Sequence, residues 1–290
     1  MTQNSGTHIT RLPTLNLVGA GRVGQTLARL WRAQGVFAIQ DVRTTSLSSA
    51  QAACAVIGTG RAVESLSAMR AADIWMLAVP DARLADCAQA LAAAEGAPGA
   101  ASQAAPIVFH CSGAQDTSVL TPLAALGWRV ASAHCLLSFA SVSAALQQFQ
   151  GTPCALEGDP GACDGLRPAF SAIGAQCFDI ASADKLLYHA AAVFATNFLQ
   201  GLQATAEDLW RATGMPADLI PHLRASLLRN AVANITTLGP QAALTGPSAR
   251  GDTVAIARQG AAVSQWDAES GAAYDALSAL ALRLARTRKD

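Results

Sequence analysis

Short apolar runs alternate with helical segments over roughly the first 180 residues of the chain. The runs predict seven buried or half-buried strands, at residues 15–18, 36–42, 72–79, 107–111, 128–133, 153–157 and 176–180. Helices are predicted between the early strands, at residues 26–34, 48–57 and 86–94. Because such alternation is typical of a parallel sheet with crossover helices, we expect a doubly wound α/β domain.

Beyond residue 181 the pattern is helical throughout. The segment 183–213 contains only Gly201 as a breaker, and its apolar majority predicts one long helix buried over most of its circumference. Other helices are predicted at residues 216–237, 253–265 and 267–286, with an irregular Gly- and Pro-containing loop at 244–252. We therefore divide the chain into a flexible arm at 1–12, an α/β domain at 13–181 and an all-helical domain at 182–290.

The first strand is joined to the first helix by a glycine-rich turn, Gly19-Ala20-Gly21-Arg22-Val23-Gly24. The first glycine permits the tight turn, the second lets the backbone approach a pyrophosphate, and the third lets the helix pack closely on the strand. Unpaired N–H groups at the helix N-terminus would hold the phosphates. A central strand ends at Val79-Pro80-Asp81, on the sheet edge where ligands of this fold bind. The sequence thus predicts a Rossmann domain that binds a dinucleotide.

The residues after the second strand are expected to select the cofactor. NAD-specific sites place an acid there for the ribose 2′-hydroxyl, whereas NADP-specific sites use arginine and hydroxyl groups for the 2′-phosphate. Here Asp41 competes for that position with Arg43-Thr44-Thr45-Ser46. If the strand runs through Val42, the arginine and the hydroxyls form a phosphate cradle, and we favour NADP. The alternative is an NAD site in which Asp41 binds the ribose and Arg43 is a solvated surface charge.

Composition excludes several classes of function. The chain has twenty basic and twenty acidic residues with no Lys/Arg-rich tract and few aromatic residues, so no nucleic-acid partner is expected. Neither a signal peptide nor a membrane-spanning run is evident, and no membrane association is expected. The seven cysteines are scattered without a C-x-x-C pair, which suits reduced thiols in the cytoplasm.

The rarity of lysine in this chain points to a catalytic site in its helical part. Only Lys185 and Lys289 are lysines among twenty basic residues, and a lysine kept where arginine is the rule suggests a site that needs a proton-releasing ammonium. Burial would lower its pKa and suit it to acid-base catalysis. His189 lies on the same predicted helix face, and Asn197 continues the row. We predict a catalytic group of Lys185, His189 and Asn197; the alternatives are a chance surface lysine, a core histidine and a structural helix-helix hydrogen bond.

Polar residues at two other strand ends are candidates for substrate binding. His110, Ser112 and Gly113 lie at the end of one predicted strand, and His134 lies at the end of the next. Side chains at these ends would face the nicotinamide or the substrate. The histidines lack the spacing of metal ligands, so no metal site is predicted. Ser112 is not in the G-x-S-x-G context of a nucleophile.

The loop at 244–252 is a further candidate for the substrate site. Its residues Thr245 and Arg250 are predicted to clamp an anionic group of the substrate. The alternative is a helix-capping loop in which Asp252 caps the following helix.

Several of these segments together resemble a known family. They are Gly19 to Gly24, Val79-Pro80-Asp81, His110-Cys111-Ser112-Gly113, His134, and residues 188–198 and 244–252. The chain is similar to bacterial Rossmann-like proteins with a C-terminal helical domain of unknown function, which are described as NADP oxidoreductases. The wider group includes pyrroline-5-carboxylate reductase, ketopantoate reductase, and 6-phosphogluconate and 3-hydroxyacid dehydrogenases.

The resemblance implies a catalytic lysine on the first helix after the Rossmann domain, which matches Lys185. In several relatives an asparagine follows four residues later, where this chain has His189. Homodimers formed through the helical domain are also implied, with the second subunit often completing the site. Where the family commonly has proline after the equivalent of His134, this chain has Cys135.

These observations predict an NADP-dependent oxidoreductase that transfers hydride between the nicotinamide and a carbonyl or imine of a small, polar and anionic metabolite. Lys185 would donate or stabilise the proton at the substrate oxygen or nitrogen, while His189 and Asn197 would orient the substrate. The main alternative is a non-catalytic NADP-binding sensor, because the fold alone does not separate the two. A methyltransferase using S-adenosylmethionine is a weaker alternative, because its site rarely has all three glycines in this register.

Overall fold

The structure is a computed structural model that describes residues 11–95 and 105–287. Packing divides the chain into two compact units, Met1–Thr196 and Asn197–Asp290. The predicted flexible arm at 1–12 lies outside the described residues except for its last two positions. The domain boundary predicted after residue 181 stays a prediction.

The first unit is built on a single eight-stranded sheet, in the order β3-β2-β1-β4-β5-β6-β7-β8. The strands are β1 Thr14–Val18, β2 Ala38–Arg43, β3 Arg61–Val63, β4 Ile74–Leu77, β5 Ile107–His110, β6 Arg129–Cys135, β7 Pro153–Gly158 and β8 Gln176–Asp179. All neighbouring strands are parallel except β6 and β7, which are antiparallel. The order of the first six strands is that of the doubly wound nucleotide-binding fold, so the predicted fold class is confirmed.

Seven α-helices accompany this sheet in the described part of the first unit. They are α1 Arg22–Ala33, α2 Leu47–Ile57, α3 Leu84–Glu95, α4 Thr121–Ala124, α5 Val142–Gln148, α6 Pro160–Ala172 and α7 Lys185–Ala192. Sequence analysis did not predict α4, α5 or α6. Side-chain caps mark the starts of the latter two, because Ser141 and Asp159 each accept a hydrogen bond from the backbone N–H three residues later.

The central strands are buried on both faces of the sheet. Met76 and Phe109 pack with Trp31 in one core, whereas the alternate residues Leu77 and Val108 pack in a second core on the opposite face. Because these strands are buried on both faces, their sequences are continuous apolar runs rather than alternating apolar and polar residues.

The second unit is helical. Its helices are α8 Phe198–Ala212, α9 Leu219–Ala242, α10 Gly246–Arg250, α11 Thr253–Trp266 and α12 Ala268–Arg286. The backbone of α9 is kinked at Gly239. The predicted irregular loop at 244–252 was wrong in one respect, because it contains the short helix α10. Within residues 11–95 and 105–287, no helix combines the length and apolar character needed to cross a bilayer.

The single buried helix predicted at 183–213 is wrong in two respects. A π-helical turn, Val193–Asn197, separates α7 from α8. Moreover, Lys185 is the one buried side chain described in α7, and none of those described in α8 is buried. Several large apolar side chains of this segment, including Leu187 and Phe194, are exposed in the isolated chain.

Candidate functional site

A cavity of about 990 Å³ lies at the carboxyl ends of β1, β2 and β4. This volume is typical of a site for a small ligand or cofactor. Most residues predicted to bind the cofactor line it, namely Gly19, Ala20, Gly21, Arg22, Val23, Arg43, Thr44, Thr45, Val79 and Pro80. Gly24 and Asp81 were also predicted there but are not among the lining residues. The cavity therefore occupies the position expected for a dinucleotide.

The three glycines of the turn differ in what requires them. Gly19 has a φ of 82°, and a Cβ there would lie 2.6 Å from the carbonyl oxygen of Ala78. A Cβ on Gly24 would lie 3.2 Å from the Cβ of Ala78, so this glycine permits close packing of α1. No described atom lies within 4 Å of a Cβ placed on Gly21. The protein itself does not require a glycine at position 21, and the open backbone there fits a closely approaching pyrophosphate.

The carboxylate of Asp41 is buried and hydrogen-bonded within the protein. Its side chain is 0% exposed, and its Oδ1 accepts hydrogen bonds from Arg61 Nε at 2.9 Å and Arg70 Nη2 at 2.7 Å. Its Oδ2 accepts from the backbone N–H of Arg70 at 2.7 Å. Burial alone would raise the pKa of Asp41, but the hydrogen bonds from Arg61 and Arg70 hold it well below its usual range. The alternative in which Asp41 binds a ribose is therefore wrong.

Arg43 is placed differently. Strand β2 runs through Arg43, one residue beyond its predicted end, and the side chain lines the cavity. Its Nε is buried and has no hydrogen-bond partner among the described residues. A buried donor left without an acceptor is costly, so an anionic ligand in the cavity would satisfy it. This donor fits a 2′-phosphate.

Hydroxyl groups surround the start of α2 beside Arg43. Ser46 caps the helix by accepting a hydrogen bond from the N–H of Ser49 at 3.2 Å. The hydroxyl of Thr44 hydrogen-bonds to that of Ser49 and donates to the Ser46 carbonyl at 3.0 Å. Thr44, Thr45 and Ser49 line the cavity, whereas the Ser46 hydroxyl serves the cap. Arg43, Thr44 and Thr45 thus lie together on the cavity wall, and their role as a phosphate cradle stays a prediction.

His110 is a structural residue of the loop after β5, which corrects its prediction as a substrate contact. The side chain is fully buried, and its Nδ1 accepts a hydrogen bond from the N–H of Ser112 at 3.2 Å. The proton is therefore on Nε2, which lies 3.2 Å from the carbonyl oxygen of Asp116. Burial, together with the charge of Lys185, lowers the pKa of His110 to about 4. A neutral imidazole bonded on both sides holds this loop in place and does not face a ligand.

Ser112 is likewise buried and bonded within the protein. Its Oγ donates to Asp81 Oδ2 at 2.7 Å and accepts from the N–H groups of Ala114 and Gln115. The predicted contact of Ser112 with the substrate is therefore corrected. Asp81 links the segment after β4 to the loop after β5 through this hydrogen bond, and its predicted contact with the cofactor stays a prediction.

Lys185 reaches this same loop from the first turn of α7. It is 1% exposed, and its Nζ donates to the carbonyl oxygen of Ser112 at 3.2 Å and to the hydroxyl of Ser132. Burial lowers its pKa, although the charges of nearby carboxylates such as Glu157 oppose this. The buried ammonium is therefore bonded to the protein through two of its three N–H groups, which favours a positioning role over the predicted direct contact with the substrate.

A pair of imidazoles flanks the backbone of Gly113. A Cβ on Gly113 would lie 2.5 Å from His189 Nδ1 and 2.8 Å from His134 Nε2, so a larger residue there would require the two rings to shift. The two rings meet edge to face, with centroids 5.6 Å apart. The Nδ1 of His189 is buried without a partner among the described residues. Gly113, His134 and His189, predicted separately from the sequence, are thus brought together.

Tyr188 completes this group and was missed by sequence analysis. Its hydroxyl lies 2.9 Å from His134 Nδ1. Burial raises the pKa of Tyr188 and lowers that of His134 to about 4, so both groups are neutral near pH 7. The available signal was rarity, because the chain has only two tyrosines and one of them directly precedes His189.

Glu157 was also missed. Its buried carboxylate accepts hydrogen bonds from Thr117 Oγ1 at 2.8 Å and from Ser182 Oγ at 2.7 Å. It thereby ties the loop after β5 to the segment that leads into α7, which carries Lys185 and His189. No sequence signal distinguishes it from other acidic residues.

Three predicted site residues belong to the second unit. Asn197 is its first residue, Thr245 directly precedes α10 and Arg250 ends α10. Asp252 caps α11 by accepting a hydrogen bond from the N–H of Ala255 at 3.0 Å, as the capping alternative expected. The functional roles of Asn197, Thr245 and Arg250 stay predictions. In the described part of the chain, no three His, Cys, Asp or Glu side chains are grouped to hold a metal ion.

Comparisons with known proteins find a matching two-part organisation. A family model described as a Rossmann-like domain matches residues 1–134. A second, described as a domain of unknown function (DUF2520), matches residues 152–281. The search of curated proteins finds no match.

Solved structures share the fold over nearly the whole chain. A Thermotoga maritima protein is 23% identical with a TM-score of 0.72, and the match covers 95% of this chain and 100% of that one. A candidate NADP oxidoreductase from Bacteroides fragilis is 20% identical with a TM-score of 0.72, covering 94% and 98%. An imine reductase from Myxococcus stipitatus, in complex with NADP⁺, is 16% identical with a TM-score of 0.63, covering 95% of each chain. At these identities the similarity shows a shared fold.

Proposed function

Because the chain joins a Rossmann-like domain to a DUF2520 domain, we propose that it is an NADP-dependent oxidoreductase acting on a small polar metabolite. The cofactor would supply the hydride chemistry at its nicotinamide, and the protein would position the substrate and manage its proton. The fold similarity to proteins described as an NADP oxidoreductase and as an imine reductase supports a carbonyl or imine as the reacting group.

One observation carries the choice of NADP. The buried Nε of Arg43 has no partner among the described residues, while the nearby acid, Asp41, is held by two arginines. A 2′-phosphate would give Arg43 the acceptor that it lacks, whereas a ribose hydroxyl would find no accessible carboxylate at Asp41.

Around the substrate, we assign the contacting roles to His134 and His189. One nitrogen of each ring, His134 Nε2 and His189 Nδ1, lies beside Gly113, and the unpartnered Nδ1 of His189 supports hydrogen bonding to the reacting oxygen or nitrogen. The proton that the reacting oxygen or nitrogen gains would pass through the neutral pair of His134 and Tyr188. The burial of Lys185 supports a positioning role, in which its ammonium fixes the Ser112 carbonyl beside Gly113.

The residues of the second unit extend this proposal. Asn197 would orient the substrate. Thr245 and Arg250 would clamp an anionic substrate group, because a guanidinium binds a carboxylate or phosphate through two parallel hydrogen bonds. A cytoplasmic location is also proposed, since all seven cysteines are free thiols.

We further propose that the protein is a homodimer through its helical unit. Long helix α9 exposes large apolar side chains, including Val232, Ile235 and Leu238, which a second copy would cover. In size-exclusion chromatography with light scattering, we expect a mass near twice the 29.7 kDa chain. Ile235→Asp should yield monomers, whereas Thr237→Asp, which adds the same charge on the opposite face of α9, should not. A monomeric wild-type protein would contradict the proposal.

Titration with NADPH and NADH tests the cofactor assignment. We expect the wild-type protein to bind NADPH more tightly, because only NADPH carries the phosphate. Arg43→Met should weaken NADPH binding by about 10- to 100-fold, which corresponds to about 1.4 to 2.7 kcal/mol. NADH binding should change by less than about threefold, as should both affinities in the control Arg29→Met, an exposed arginine of α1. Equal affinity of the wild-type protein for the two nucleotides would refute NADP selectivity.

Turnover separates an enzyme from a sensor. With NADPH bound, oxidation would be followed over a panel of keto acids, aldehydes and imines. Reduction of any of these classes supports the oxidoreductase, whereas tight NADPH binding without turnover across the panel favours the non-catalytic sensor.

A further inference from the structure

We propose that Arg83 is a second cofactor-specificity residue, which closes on the adenosine 2′-phosphate from the α3 side of the cavity that Arg43 also lines. This inference rests on the proposed NADP function and adds a residue outside the glycine turn and outside the end of β2. Sequence analysis did not single it out.

Two helices present regularly spaced faces to the cavity. The lining residues of α2 are Ser49, Ala52, Ala53 and Val56. On the other helix, Arg83 directly precedes α3, and Asp86, Cys87 and Ala90 lie along it. Both sets follow the three- and four-residue spacing of one helix face, so the two helices contribute separate walls.

Several other lining side chains are small or apolar. Ala52, Ala53 and Ala90 leave space, and Val56 and Leu66 add apolar surface without hydrogen-bonding groups. A flat, largely apolar ring such as adenine suits a slot of this kind. The polar ends of both walls are then the places where a phosphate on the attached ribose would be met.

Three arginines line the cavity, and their hydrogen-bond and ion-pair partners differ. Arg22 Nη1 donates to the carbonyl oxygens of Phe139 and Ala140, at 3.1 and 3.0 Å. Arg43 has its buried, unpartnered Nε. Arg83 is 73% exposed, and its contact with Asp86 at 3.8 Å is a weak, solvent-screened ion pair. Arg83 is therefore the cation on the second wall that is able to move to a ligand.

Arg43, Arg83 and Cys87 all line the same cavity. Burial raises the pKa of the Cys87 thiol to about 11, while the charges of both Arg43 and Arg83 act to lower it. A doubly charged phosphate between them would be attracted from two sides and would outcompete the exposed carboxylate of Asp86.

Competition with adenosine fragments isolates this end of the cofactor. Binding of adenosine 2′,5′-bisphosphate and of 5′-AMP would be measured by calorimetry for the wild type, Arg83→Met and the control Arg29→Met. We expect Arg83→Met to weaken the bisphosphate by about tenfold and 5′-AMP by less than about twofold. Arg83→Lys, which keeps the charge but not the planar fork, should weaken the bisphosphate by about threefold. The control should leave both unchanged.

The outcomes distinguish this inference from the proposed function. Unchanged bisphosphate binding in Arg83→Met, or an equal loss for both fragments, overturns the role of Arg83 while wild-type preference for NADPH still stands. A wild-type protein that binds NADPH no better than NADH instead removes the NADP function on which the inference rests. Circular dichroism of Arg83→Met would verify that the substitution leaves the fold intact.

Discussion

Replacing Lys185 by methionine is expected to lower turnover by about a hundredfold, or about 2.7 kcal/mol in the activation barrier. Methionine fills a similar volume but offers no donor, so the Ser112 carbonyl and the Ser132 hydroxyl both lose the Lys185 donor and keep only the 3.4 Å hydrogen bond between them. The backbone at Gly113, over which His134 and His189 meet, would then be held less firmly. Affinity for NADPH should change by less than about threefold, because Lys185 does not line the cofactor cavity. The acceptor would be the panel compound that the wild type reduces fastest.

The pH profile separates a charged positioning residue from a merely structural one. Burial lowers the pKa of Lys185, so its ammonium loses its proton at a lower pH than an exposed lysine would. Wild-type turnover should accordingly decline on the alkaline side, and Lys185→Met should lack that decline. Lys289→Met, which removes the only other lysine, serves as the control. Full turnover in Lys185→Met would show that the ammonium has no part in the reaction.

Replacing Asp41 by asparagine is expected to lower the free energy of unfolding by about 3 kcal/mol, near the lower end for breaking a buried ion pair. The asparagine cannot accept the hydrogen bonds of Arg61, Arg70 and the Arg70 backbone together. Arg61 and Arg70 are about half exposed, so water can hydrate them once the ion pairs are lost. This keeps the expected loss of stability near the lower end of that range. Urea unfolding at pH 7 would measure the change.

The sign of the pH dependence provides an internal test. The pKa of Asp41 is lower in the folded state, so its stabilisation is present above the ordinary pKa of 3.8 and is lost as the pH falls through the folded value. The difference between wild type and Asp41→Asn should therefore stay constant from pH 7 to about pH 5. Asp86→Asn, at a 79% exposed carboxylate, should change stability by less than about 0.5 kcal/mol. Equal stability of Asp41→Asn and wild type would mean that the ion pairs contribute nothing.

The sequence predicted the doubly wound fold because its strongest signals are local. Continuous apolar runs marked the central strands, and the turn from Gly19 to Gly24 required only adjacent residues to be interpreted. Strand β3, of three residues, is too short for a periodic signal. The π-helical turn at Val193–Asn197 was not predicted, because no proline or glycine interrupts the pattern there.

The sequence singled out many residues of the candidate site but not their roles, and it missed Tyr188 and Glu157. His134, His189 and Gly113 come from three separate segments, and their meeting depends on the sheet order. The choice between Asp41 and Arg43 stayed open because it depends on Arg61 and Arg70, whose approach no local pattern reveals. Burial likewise converted His110 from an expected ligand contact into a support for its loop.

The antiparallel pairing of β6 and β7 bears on how the molecule can be dissected. The Rossmann-like match ends at residue 134 and the DUF2520 match begins at residue 152, yet β6 and β7 pair from Ala131 with Gly158 to Cys135 with Cys154. A chain cut between these matches would expose two unpaired strand edges, which are prone to aggregate. The two halves recognised by sequence are therefore not independent modules, and gene fusions or domain exchanges at this junction would divide a single sheet.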